Sequence, residues 1–292
     1  MTSRARRNLI SALVALYIAL LTGIPFLAAA LPVLWLRGTV TTALALFLSP
    51  VLFGFTYIAV AGGLSRLTRR AMIAGKFPRD LGHEVYGPRR LWALCWTAVY
   101  YCTPLYHGIL AVPALKRFTF RLFGYRGSLA ITLYPDTWIR DLPLLEVEDG
   151  AYLSNRATIG TNMCMQDGTV IVAPVRIGKG AMVGHLAMLA PGVAIGERAE
   201  IGVGCAIGLK ARIGARARIA PCTTVNHGAS VGADCDIGTQ CLVGMRAVLH
   251  DGVRIPAGTV VPPRLELRNQ GDVRSLLART SDSREGAVRI GA

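Results

Sequence analysis

From Val147 to Ile255 an aliphatic residue or methionine returns at every sixth position without a slip: Val147, Leu153, Ile159, Met165, Ile171, Ile177, Val183 and onward to Leu249 and Ile255. Four residues after each of these, bulky Met163 excepted, sits a small or slender side chain, such as Ala181, Ala187, Ala199, Cys205 or Ala211. The residue directly after is often glycine, as in Ile177-Gly178, Ile195-Gly196 and Ile207-Gly208. A period of six is neither the 3.6 of a helix nor the 2 of a long strand. It predicts a short strand and a turn per hexad, three hexads to a triangular coil, and coils stacked at a strand spacing of about 4.8 Å. Six or so coils would stand about 30 Å tall. The aliphatic positions fill the prism and the small residues fit beside them. Glycine after the beat suits close coil-to-coil approach and unusual turn dihedrals.

The amino-terminal part has a different pattern. Leu9 to Leu36 and Gly38 to Ser65 carry no charge, and each is long enough to cross roughly 30 Å of hydrocarbon as a helix. Residues 1–65 therefore read as a transmembrane helical hairpin turning at Arg37. A cleaved signal peptide is the rival reading of the first segment, but its apolar run is long and a second follows at once. Arg4, Arg6 and Arg7 precede the hairpin and Arg66, Arg69, Arg70, Lys76 and Arg79 follow it, which places both ends in the cytoplasm. Residues 66–128 read as a basic loop and an aromatic segment. Leu91 to Leu115 is uncharged but interrupted by Pro104 and Pro113, and its Trp92, Trp96, Tyr100, Tyr101 and Tyr106 suit the headgroup level, so an interfacial or re-entrant segment is preferred to a third span. The prism is expected over residues 129–263. The beat is expected to stop at Pro262-Pro263, leaving 264–292 as a polar tail with a short helix around Val273 to Ala278 and a disordered end.

The hexads resemble the hexapeptide repeat of the left-handed β-helix. The fold class expected is thus an all-β left-handed parallel β-helix behind an α-helical hairpin. A hairpin, a basic loop, an aromatic stretch and then LKRFTFRLFGYRG running into hexads resembles half of the membrane-embedded terminal domain of poly-lysine-type nonribosomal peptide synthetases. In that family tandem prisms share one chain, and stand-alone hexapeptide transferases are usually homotrimers, so the resemblance implies a homotrimer with active sites between prisms.

Composition supports part of the chain living in lipid: 52% of 292 residues are hydrophobic and only 17% charged. The net charge of +15 reflects in part the basic belt around the hairpin, which suits anionic headgroups. Nucleic acid is not an expected partner, since no recognition motif or aromatic-basic platform is present. The seven cysteines show no zinc spacing, and Cys205, Cys235 and Cys241 fall on interior positions.

His227, in VNHGASVG, is the first candidate for chemistry, with Asn226 in the place usually held by glycine. This resembles serine acetyltransferases and sugar-nucleotide N-acetyltransferases, where a histidine at this place is the general base; a solvated corner residue is the plain alternative. There an acidic residue precedes the histidine, whereas Asn226 can orient a ring but bears no charge. His185 falls on a corner three hexads after Asp167, so regular stacking puts the two one coil apart, as a catalytic or an interface pair. TNMCMQDGTV followed by IGKGAMVGHLAMLAPG resembles the γ-class carbonic anhydrases, but two of that family's three histidine ligand places hold Val172 and Ala190, and His185 alone cannot hold a catalytic zinc. No metal is expected. His250, beside Asp251, reads as a solvated turn residue. Stacking puts Glu200, Arg218 and Asp236 in one charge ladder and Arg198, Arg216 and Asp234 in another, and leaves Lys210 and Arg212 free to meet a pyrophosphate or lipid headgroup.

The sequence thus reads as an acyltransferase anchored in the inner (cytoplasmic) membrane with its prism on the cytoplasmic side. Its expected partners are membrane lipids and a thioester donor, acyl-CoA or an acyl carrier protein, as cosubstrate with no tightly bound cofactor. His227 would be the base, oriented by Asn226, with N–H groups near Gly244 and Met245 holding the oxyanion. A catalytically silent trimeric scaffold is the alternative.

Overall fold

The computed structural model describes residues 3–279. The chain forms two compact units, the first of Met1–Arg126, Arg140–Leu144 and Cys164–Ile171, the second of Gly127–Ile139, Leu145–Met163 and Val172–Ala292.

In the first unit, α1 (Ser3–Trp35) and α2 (Thr39–Thr68) are both long and apolar enough to cross a membrane. Leu34, Trp35, Val40, Phe47 and Val51 lie largely exposed on them. Prolines 25, 32 and 50 are accommodated inside these helices. The aromatic segment is broken into α3 (Tyr86–Tyr101), α4 (Thr103–Ala111) and α5 (Pro113–Leu122), the breaks falling at Cys102 and at extended Val112, each just ahead of a proline-bearing first turn. At 1.5 Å per residue, α3 is about 24 Å long, short of a span. Most of the aromatic side chains of this segment face the interior of the unit rather than outward. Trp92, Trp96 and Tyr106 are fully buried, and Trp96 meets Tyr106, Phe120 and Phe123 edge-on at 5.2–6.0 Å. These rings are the core of the unit, because α5 and its carboxyl-terminal cap supply Phe120 and Phe123 as partners; Tyr101 alone of the five is well exposed. The basic loop also contains a strand, Gly75–Pro78, which pairs with Thr169–Val172. Arg89 of α3 forms a buried ion pair with Asp141.

The second unit is a parallel β-solenoid of three seven-stranded sheets. We name these face 1 (Thr132–Leu133 to Arg254–Ile255), face 2 (Trp138–Ile139 to Val260–Val261) and face 3 (Leu145–Val147 to Glu266–Leu267). Beat residues pair beat to beat up each face, as Val183, Ile201, Ile219, Ile237 and Ile255 do on face 1. They are 0–3% exposed there, and Ala181, Ala199 and Ala217 beside them are sealed. The stack runs past Pro262-Pro263: Val261 and Leu267 are still interior, and residues 270–279 then form a helix burying Val273 and Leu276. The expected disorder at the carboxyl end concerns residues 280–292, outside the described residues.

Two features differ from the simple repeat. Leu153 pairs with Val183 and Ile159 with Leu189, five hexads on, where later coils pair at three. The excess is an excursion made of strands Asn162–Cys164 and Thr169–Val172 and the turn between them. It equals two whole hexads, so the beat stays in phase across it although Met165 is exposed and Ile171 only half-buried. The glycine after the beat also proves to serve spacing rather than dihedral freedom. A Cβ at Gly178 or Gly202 would come within 2.7 Å of next-coil backbone. Positive φ falls two residues later, where Arg198, Lys210, Arg216 and Arg246 adopt it as readily as Gly204 or Gly228.

Candidate active site

The turns between faces 2 and 3 bring six of the eight predicted site residues together over successive coils. Lys210 lies on one, Asn226 and His227 on the next, Gly244 and Met245 on the third, and Arg212 opens face 3 beside them. The turns are held in register by N–H donation from Gly228 to Leu209 (2.8 Å) and from Arg246 to the His227 carbonyl (3.0 Å). His227 projects outward, exposed, and its Nδ1 accepts the Leu209 N–H at 2.9 Å. That donor fixes the neutral ring as the tautomer with its proton on Nε2. Gly208 is required beneath it, since a Cβ there would lie 2.6 Å from both the backbone nitrogen and Nδ1 of His227.

The two predicted oxyanion donors separate. The Gly244 N–H is already given to the Val261 carbonyl at 2.9 Å, a bond of the coil ladder, and so is not available. The Met245 N–H has no acceptor among the described residues and sits one coil above His227. Lys210 and Arg212 are exposed and make no ion pair among the described residues. Arg212 lines a groove of about 660 Å³ along face 3 with Arg176, Ser230, Gly196 and Asp251. Its neighbours there are committed: Arg176 to Glu146 at 2.6 Å, and Asp251 to the Ala233 N–H at 2.7 Å. Asn226 tolerates a side chain at the glycine place, as do Ala190, Ala220 and Pro256 at theirs, so its presence alone is not a mark of function.

The expected stacking of Asp167 under His185 is corrected. With the excursion looped out, the coil beneath His185 is that of Asn155, whose carbonyl accepts the Leu186 N–H at 3.2 Å. Asp167 lies at the excursion's turn, bonded to Lys76 at 2.8 Å and to the Thr169 N–H at 2.9 Å. Lys76 first, then Thr169, holds its carboxyl well below the usual carboxylate range. Val172, in one of the absent zinc-ligand places, is an interior residue. His250 is not merely solvated: its ring contacts Glu266 at 2.7 Å. The charge ladders are as expected, with Glu200, Arg218 and Asp236 in register and Arg216 bonded to Asp234 at 2.6 and 2.7 Å.

No protein-family model matches the chain, and no curated protein matches it significantly. Among solved structures it is similar to GDP-perosamine N-acetyl transferase from Caulobacter crescentus, in complex with CoA and GDP-perosamine, at 18% identity and TM-score 0.34, covering 51% of this chain and 59% of that one. UDP-N-acetylglucosamine acyltransferase from Campylobacter jejuni is similar at 16% identity and TM-score 0.29, covering 49% and 68%. Serine acetyltransferase from Neisseria gonorrhoeae is similar at 13% identity and TM-score 0.23, covering 89% and 93%. The chain thus spans about three fifths of the length of the first of these. At such scores the fold rests on the strand register and the function on the residues.

Proposed function

We propose that the protein is a membrane-anchored acyltransferase that moves an acyl group from a thioester donor, acyl-CoA or a carrier protein, to a hydroxyl or amine of a membrane-associated acceptor. The observation that carries this is the turn between faces 2 and 3, where an exposed imidazole and an uncommitted N–H lie one coil apart and two unpaired cations lie on the neighbouring coil. The donor lies in the face 3 groove with its phosphates toward Arg212 and Lys210, and its carbonyl oxygen meets the Met245 N–H. His227 takes the proton of the acceptor as the acceptor's oxygen or nitrogen bonds to the carbonyl carbon. The carbon–sulfur bond then breaks, and the leaving thiolate takes the proton back. In the resting rotamer Nδ1 is occupied and Nε2 already protonated, so base action requires the Leu209 contact to be released when the acceptor binds.

Two further parts belong to the same proposal. The first is that α1 and α2 span the inner membrane with both ends cytoplasmic, as the arginines around the hairpin indicate. The second is a left-handed coil assembled as a homotrimer. Face 2 supports self-association: its outward column reads Trp138, Thr158, Met188, Ala206, Thr224, Leu242 and Val260, without a charge, whereas faces 1 and 3 carry Glu200, Arg218, Asp236, Arg254 and Glu146, Arg176, Arg212. The test is thioester consumption by the detergent-solubilised full chain given acetyl-CoA or longer acyl-CoA and membrane lipids. Turnover supports the reading; no turnover and no donor binding with any thioester favours the silent scaffold.

A further inference from the structure

A second cavity lies within the first unit, at the end of α2 and against α5. It has a volume of about 630 Å³, within the range of small-molecule sites. Arg66, in the last turn of α2, and Arg117 and Arg121, one turn apart on α5, supply its polar side. Pro113, Ala114, Phe118 and Leu122 supply the apolar side. The wall is built by contact of the two helices. Phe118 stacks on Phe55 of α2 at 6.1 Å, and Gly62 of α2 leaves the room that Leu122 occupies.

Among the described residues the charge in this cavity has no acidic counterpart. None of the three guanidinium groups makes an ion pair among the described residues, and Arg121 is oriented by donating to the Tyr125 carbonyl at 2.8 Å. From residue 1 to 126 the only acidic residues are Asp80 and Glu84, neither of which lines the cavity. Three guanidinium groups lining one depression without a carboxylate suit an anion with several acceptor oxygens, and phosphate is such an anion. The apolar face of α2 runs up to it, with Phe47, Val51 and Phe55 all more than half exposed. An occupant that satisfies both surfaces has a phosphate at one end and hydrocarbon at the other.

We propose that this cavity binds the phosphate of a membrane-embedded lipid, its chains lying along α2. The site is distinct from the His227 turn. The inference rests on α2 being a membrane span and is independent of acyl transfer.

The full chain in detergent micelles, titrated with dioleoyl phosphatidic acid and followed by native mass spectrometry, tests this. One lipid per chain is expected, with dioleoylglycerol bound at least tenfold more weakly. Replacing Arg66, Arg117 and Arg121 together by glutamine should weaken phosphatidic acid binding tenfold or more, and Ala114→Trp, which fills the cavity and keeps every charge, should do the same. The triple glutamine variant of Arg4, Arg6 and Arg7 should bind as the parent does. Equal loss in that variant would show a diffuse basic belt, and undiminished binding in Ala114→Trp would remove the cavity; either overturns the proposal. Displacement of the lipid by an equal concentration of glycerol 3-phosphate would overturn the lipid source in favour of a soluble phosphate ester. Retention of the arginine variants in carbonate-washed membranes separates failure of this site from failure of the span.

Discussion

Gly196→Ala isolates what the glycine after the beat is for. A Cβ there would lie 2.5 Å from the Ala215 nitrogen and 2.6 Å from the Gly214 carbonyl carbon, against 3.4–4 Å for ordinary contact. All of these atoms are backbone, so no side chain can swing aside. The turn must shift locally to admit the Cβ, as those carrying Ala190 and Ala220 do while keeping inter-coil bonds of 2.9 Å, and the shift strains the Gly196 and Arg216 inter-coil bonds, both now 2.8 Å. Overpacking of this kind costs about 2 to 3 kcal/mol, which lowers the melting temperature by roughly 5 to 10 °C in a domain of this size. Gly252→Ala is the contrast. Its φ is +72° and nothing lies within 4 Å of the added Cβ. Left-handed backbone costs an alanine about 1 kcal/mol, partly offset by about 0.4 to 1 kcal/mol of unfolded-state entropy. Gly252→Ala should therefore melt within about 2 °C of the parent. Thermal unfolding of both variants by circular dichroism, in the same detergent, gives the comparison. A Gly252→Ala loss equal to or larger than that of Gly196→Ala would refute the assignment of spacing to one position and dihedral freedom to the other.

Three other outcomes are expected. Breaking the buried Arg89–Asp141 pair by Arg89→Met alone should destabilise the first unit by about 3 to 5 kcal/mol, because it leaves a buried carboxylate, while Arg89→Met with Asp141→Leu should recover most of that in thermal melts. Asp167 has its folded pKa depressed by Lys76 and Thr169, so its contribution is present above the ordinary carboxylate value of about 4 and is lost as pH falls through the lower folded value; carbon-13 NMR should find it ionised at about pH 3, and Lys76→Gln should move its titration back toward about 4. A cysteine introduced in the 264–292 tail should react in whole cells with a membrane-permeant reagent only, and labelling by an impermeant one would place the prism outside.

Much of the solenoid is legible in the sequence because its inner positions admit so little: Val183, Ile201 and Ile219 are sealed, and each sits where a charge would be buried without a partner. The excursion is not legible for a matching reason. Its two hexads keep the beat, and Met165 satisfies the pattern while facing solvent, so sequence spacing stacks Asp167 under His185 and the real register does not. The aromatic run of α3 reads the same whether it meets headgroups or other rings. The deciding partners, Phe120 and Phe123, come from α5 and its cap, with the whole of α4 in between. His227 is visible as an oddity in its hexad, but the loss of Gly244 as a donor depends on the ladder bond to Val261. The tautomer of His227 depends likewise on its rotamer against Leu209.

The most direct measurement is thioester consumption by the parent, His227→Ala and His185→Ala proteins side by side, with their melting temperatures. A general base contributes about 10² to 10⁴ in rate, and the interior of the His227 hexad is Val225 and Ala229, which the substitution leaves in place. His227→Ala is predicted to lose at least about a hundredfold in turnover, on the same scale, with an unchanged melting temperature, while His185→Ala keeps its activity. Full activity in His227→Ala, or its loss in His185→Ala instead, would contradict the placement of the chemistry at the turn between faces 2 and 3.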